Sequence, residues 1–125
     1  MTSSRPAALI VEDQPFIGMV ASDILKESGF ETFHAFDADA AAQVLDEHPE
    51  IEVLVTEAML PGTVNGLELA RRVSLQRPHV QLVVTLSSPE LQQGQVPKGA
   101  RLLRKPYASG DLQMLIEPRR ALADA

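Results

Sequence analysis

Apolar runs of strand length recur along this chain, and four of them stop on a polar residue: Glu12-Asp13 after LIV, Glu57 after VLVT, Thr85 after LVV and Lys105-Pro106 after LLR. Between these runs lie stretches with apolar residues at helical spacing. Strands and helices alternating in this way fold as a parallel sheet with helices on both faces. Residues leaving the carboxyl ends of such strands gather along one edge, where ligands of these folds bind. The pattern predicts a doubly wound α/β domain whose polar site is assembled from residues far apart in sequence.

Ala7 to Val11 is apolar throughout, as a strand buried on both faces requires. Pro15 suits the first position of a helix that turns Phe16, Ile17, Val20, Ala21, Ile24 and Leu25 inward and ends at Gly29. Glu31 to Ala35 reads as an edge strand. Asp37 or Asp39 caps a second helix carrying Ala41, Ala42, Val44 and Leu45, which His48-Pro49 ends. Ile51 to Thr56 is rich in β-branched residues and delivers Glu57, and Pro61-Gly62 then turns the chain away from the sheet. Asn65, with Glu68 three residues on, opens a helix that buries Leu67, Leu69, Ala70 and Val73 and stops before Pro78. Gln81 to Leu86 is the fourth strand. Ser87 to Ala100 carries two prolines, two glycines and three glutamines, so the fourth helix is expected to be shortened or irregular, a turn from Ser88-Pro89 at most. Arg101 to Leu103 makes a short fifth strand, and Ser109 caps a last helix with Leu112, Leu115 and Ile116 inward until Pro118.

At 125 residues the expectation is one domain, 1–125, with its core over about 7–117 and a loosely held tail at 118–125. A net charge of −6 opposes attraction to phosphate backbones and anionic surfaces, which disfavours direct nucleic-acid binding. The sequence contains no cysteine, which removes disulfides, thiol catalysis and cysteine-held zinc. The apolar runs are too short to cross a bilayer, and the first residues lack the form of a signal peptide, so a cytoplasmic protein is expected. His34, His48 and His79 show no metal-ligand spacing and are expected at the surface.

Taken singly, each polar landmark is ordinary: a threonine suits a strand, acids favour helix starts, and Lys-Pro is a common surface dipeptide. Their order along the chain carries the information. As LIVEDQP, TEAMLPGTVNGLELA, VTLSS and RKPY, they resemble the motifs of response-regulator receiver domains over roughly Ala7 to Ile116. The resemblance implies a flavodoxin-like sheet of strand order 2-1-3-4-5. It also implies a Mg²⁺ site formed by Glu12, Asp13, residue 57 and the backbone carbonyl of Met59, with an octahedral oxygen shell. By the same resemblance Glu57 stands at the phospho-acceptor position, Lys105 pairs with phosphoryl oxygens, Thr85 supplies the switch hydroxyl, and Pro106 is the proline that often follows a cis bond. Asn65-Gly66 is assigned to the turn and cap rather than to chemistry.

Three positions depart from the family pattern. Glu57 stands where the family has aspartate; the added methylene carries the carboxylate about 1.5 Å or less toward the phosphoryl position, and a misplacement near 1 Å costs about a hundredfold in rate. Leu86 replaces a small residue after the switch threonine, and Leu102 occupies the usual place of the switch aromatic, which Tyr107 does not fill. With the degenerate stretch after Leu86, these departures point to a stand-alone, phosphorylation-independent receiver that acts by protein contact in a two-component or phosphorelay pathway. Glu57 would partly mimic phospho-aspartate, no catalytic residue is assigned, and the chain is not read as an enzyme. The partner would be a histidine kinase, a phosphotransfer protein or another signalling protein, and a homodimer is compatible with this reading. Mg²⁺ is the one cofactor the resemblance admits, and its site is expected to be weak or empty should Glu57 turn to Lys105. The alternative is an active phospho-acceptor using Glu57 or Asp13 with Mg²⁺. A flavin carrier or aspartate-nucleophile phosphohydrolase on the same fold is the third class, but the first lacks a phosphate loop and the second its aspartate.

Overall fold

Five strands pair in parallel in the order β2-β1-β3-β4-β5. The structure, a computed structural model, describes residues 5–61, 65–87 and 93–116. In chain order the elements are β1 (Ala7–Val11), α1 (Pro15–Glu27), β2 (Glu31–Ala35), α2 (Ala38–Glu47), β3 (Ile51–Glu57), α3 (Gly66–Gln76), β4 (Gln81–Leu86), a 3₁₀ turn (Gln93–Gln95), β5 (Arg101–Arg104) and α4 (Ser109–Leu115). β2 lies at the edge as expected, with β1 as its neighbour. β3 runs one residue further than expected and ends on Glu57, and β5 continues to Arg104.

The sheet divides the core into two layers because side chains of a strand alternate between its faces. Leu9, Val11, Leu54, Val84 and Leu86 meet Ala41, Leu45, Leu69, Ala70 and Val73 from α2 and α3. On the other face, Ala8, Ile10, Val53, Val55 and Val83 meet Ala21, Ile24, Leu25 and Leu112 from α1 and α4. All five β1 residues are buried, which explains their unbroken apolar run.

Asp37 caps α2 through a 2.8 Å bond from the Ala40 amide, and Asn65 caps α3 through one of 2.9 Å from the Glu68 amide. Pro15 occupies the start of α1. Three expectations need correction. The inward stripe of α1 is Gly18, Ala21, Ile24 and Leu25, which turns Phe16 and Val20 outward, 75% and 38% exposed. Ala42 faces solvent on α2 because Ala41 and Leu45 take the inward positions. Ser109 is the first helical residue rather than the cap; Asp111 accepts from the Ala108 amide at 2.9 Å. Among the described residues, the segment between β4 and β5 contributes only the 3₁₀ turn, in line with its composition. Gly62, Ser88-Pro89, Pro118 and the tail lie outside the described residues.

Candidate functional site

Parallel pairing brings the carboxyl ends of β1, β3, β4 and β5 side by side. Glu57 is in register with Thr85, Val11 with Thr56, and Leu86 with Arg104. Main-chain bonds hold the exits in place: Glu12 N–H donates to Ala35 O at 3.0 Å, Ala58 N–H to Thr85 O at 2.7 Å and Lys105 N–H to Leu86 O at 2.8 Å. The Lys105-Pro106 peptide is cis. Gly66 donates to the Ala58 carbonyl at 3.0 Å. A Cβ on Gly66 would run into the main-chain carbonyl of Glu57, so this position admits only glycine without rearrangement.

The side chains converge on Lys105. Its ammonium pairs with Glu12 Oε1 at 2.7 Å and also with Glu57 Oε1. The remaining carboxylate oxygens accept from main-chain amides, Glu12 Oε2 from Gln14 at 3.2 Å and Glu57 Oε2 from Met59 at 3.3 Å. All three side chains are less than a tenth exposed. Burial works against the Lys105 charge, but its bonds to Glu12 and Glu57 outweigh burial and raise its pKa. Burial raises the Glu12 pKa, Lys105 only partly reverses that, and Asp13 beside it adds to the rise.

Beyond the triad a cavity of about 530 Å³ opens, lined by Asp13, Glu57, Met59, Leu86, Gln95 and Lys105 among others. Leu86, 2% exposed, forms part of its wall next to Thr85, itself buried. Tyr107 and Pro106 lie on the other side of Lys105, bordering an apolar hollow of about 450 Å³ with Phe16, Ile17 and Val20.

Of the residues the sequence nominated, Glu12, Glu57 and Lys105 touch, Asp13 stands exposed at the rim, Thr85 lies beside Glu57 in register, and Pro106 follows the lysine. The metal set does not fit a divalent ion in this arrangement. The Glu12 and Glu57 carboxylates are turned onto the ammonium, and the described residues contain no group of three His, Cys, Asp or Glu side chains able to hold a metal.

Sequence reasoning missed His34. The expected surface histidine is half-buried, and its Nε2 donates to the Glu12 carbonyl at 3.0 Å. The imidazole lies over Gly18, where a Cβ would collide with the ring. A glycine in mid-helix was the available signal, since it marks close approach of a neighbour. His48 is also half-buried, stacked on Phe33 with ring centroids 4.1 Å apart, whereas His79 is exposed as expected.

The chain matches the response regulator receiver domain family over residues 8–117. The uncharacterised transcriptional regulatory protein YrkP of Bacillus subtilis is 26% identical over 106 residues, 83% of this chain and 45% of that protein, so the chain spans less than half of this curated relative. Among solved structures, the signal receiver domain of an HD domain-containing protein from Pseudomonas fluorescens Pf-5 is 26% identical at TM-score 0.75, with 97% of each chain covered. The NtrX receiver domain of Brucella abortus is 26% identical at TM-score 0.77, covering 86% of this chain and 92% of that one. A receiver protein from Sinorhizobium medicae, 19% identical at TM-score 0.80 with 88% and 90% covered, shares the fold. No described helix is long and apolar enough to cross a membrane. Motif order, topology and the match along 8–117 together make this chain a member of the response-regulator receiver domain family, a component of two-component signalling.

Proposed function

We propose that this receiver signals by protein contact without phosphorylation of residue 57, and that Glu57 stands in part for a phosphorylated aspartate. One observation carries the reading: the Glu57 carboxylate is paired with Lys105, the cation that the family resemblance assigns to the phosphoryl group. The longer side chain reaches an ammonium already anchored by Glu12. A carboxylate brings one charge and two oxygens against nearly two charges and three oxygens, so it biases a two-state switch only part of the way. Buried Leu86 narrows the room beside Thr85, which supports the same reading.

The partner is a histidine kinase, a phosphotransfer protein or another signalling protein. The exposed apolar side chains of Phe16 and Val20, which line one hollow with Pro106 and Tyr107, form the face offered to it. Incubation with acetyl phosphate and Mg²⁺ should leave the intact mass unchanged, while Glu57→Asp should gain one phosphate. A phosphate located on Glu57 or Asp13 of the unaltered chain would reject this reading in favour of the active phospho-acceptor. The exposed Asp13 and the open cavity in front of it are the features on which that alternative stands.

A further inference from the structure

Glu12, Asp13 and Glu57 bring three carboxylates to one end of the sheet, and such a set calls for a cation. Mg²⁺ would need near-octahedral oxygen coordination at about 2.0–2.1 Å. Yet both oxygens of Glu12 and both of Glu57 are engaged: one of each by the Lys105 ammonium, the other by the amides of Gln14 and Met59. A metal bridging these carboxylates would have to sit against an ammonium that touches both. We infer that Lys105 is the built-in cation of this site and keeps divalent metal from Glu12 and Glu57.

Reach decides which cation the carboxylates meet. The lysine is tied to the sheet through its amide, 2.8 Å from the Leu86 carbonyl, and its side chain is 9% exposed, so the ammonium has little freedom to withdraw into solvent. The Glu57 side chain is long enough to set one oxygen on that ammonium while the other accepts from the Met59 amide. Asp13, exposed at the rim, is then left as a single carboxylate, too few ligands for more than loose association.

Mn²⁺ is a suitable probe, because the free aqueous ion gives an electron paramagnetic resonance signal that is lost on binding. Titrated into the full chain at constant ionic strength, the wild type should show no saturable uptake below about 1 mM, and Lys105→Met should bind one ion at least roughly tenfold more tightly. Should the methionine variant fail to fold, Glu57→Asp carries the same expectation, since it keeps the lysine and withdraws the carboxylate by one methylene. Uptake of one Mn²⁺ by the wild type in the micromolar range would overturn the inference. Equally weak binding in the wild type and every folded variant would overturn it too. A chain that binds Mn²⁺ yet gains no phosphate would refute this inference and leave the proposed function standing.

Discussion

An ammonium placed between two buried carboxylates is costly to remove, because its loss leaves like charges facing each other away from water. Lys105→Met should therefore destabilise the fold by about 3 kcal/mol at neutral pH, read from urea unfolding, and adding Glu57→Gln to that variant should recover part of the loss. Gly66 sets two effects against each other. Alanine in a helix is favoured over glycine by about 1 kcal/mol. The new Cβ would, however, meet the Glu57 carbonyl, a main-chain atom that cannot rotate away as a side chain can. Overpacking of this kind costs about 1–3 kcal/mol, so Gly66→Ala should lower the urea midpoint despite its better helix propensity. The sequence revealed that residue 57 is a glutamate; it could not reveal which cation the carboxylate meets, since that depends on where β5 ends relative to β3.

At the scale of elements, the runs with one consistent period were readable and those with competing signals were not. β1 announced itself by an unbroken apolar run, and β3 and β4 by stretches rich in apolar and β-branched residues. On α1 there were more apolar residues than one stripe can bury, and spacing alone could not choose among them. The structure buries Leu25 fully and leaves Phe16 exposed, so Phe16→Ser should change stability by no more than about 0.5 kcal/mol whereas Leu25→Ala should cost about 2–5 kcal/mol. Calorimetric melts of the two variants would separate them. The join between α2 and β3 was invisible in sequence, being made by a residue from another helix end. The Arg77 guanidinium donates to the carbonyls of Leu45 at 3.0 Å, Pro49 at 2.9 Å and Ile51 at 3.2 Å. A lysine lacks that planar fork, so Arg77→Lys should lose about 2 kcal/mol despite keeping the charge. In the same join the Glu50 pKa is lowered, first by its own backbone amide and then by His48. A depressed carboxylate stabilises the fold above its unfolded pKa, and that contribution is lost as pH falls through the folded value. Glu12, with its raised pKa, acts in the opposite sense. The contribution of Glu50 should therefore appear as the difference between wild type and Glu50→Gln, present at neutral pH and vanishing below the usual glutamate range.

Across the whole molecule, topology was legible because alternating strands and helices leave few ways to bury both faces of a parallel sheet, and the nominated residues met at its edge for the same reason. Charge coupling among them was not, since it depends on burial that only the assembled fold creates. That coupling has a consequence at alkaline pH. Lys105 and Tyr107 both have raised pKa values: in Lys105 the bonds to Glu12 and Glu57 overcome burial, and in Tyr107 burial acts first and the Glu12 charge adds to it. The folded chain thus keeps two protons that the unfolded chain begins to release near the ordinary values of 10.5 and 10.0. Protonation of this kind supports the fold fully below those values and is lost as pH rises through the folded ones, so the urea midpoint should hold to about pH 9 and then decline. Tyr107 is the only tyrosine and there is no tryptophan, so ultraviolet absorbance follows its ionisation without interference. In Glu12→Gln the phenol should ionise at lower pH than in the wild type, while remaining above the ordinary tyrosine value because burial, the larger cause, persists. A phenol titrating identically in the two proteins would mean that the acidic residue at the end of β1 and the tyrosine beyond β5 do not share one electrostatic site.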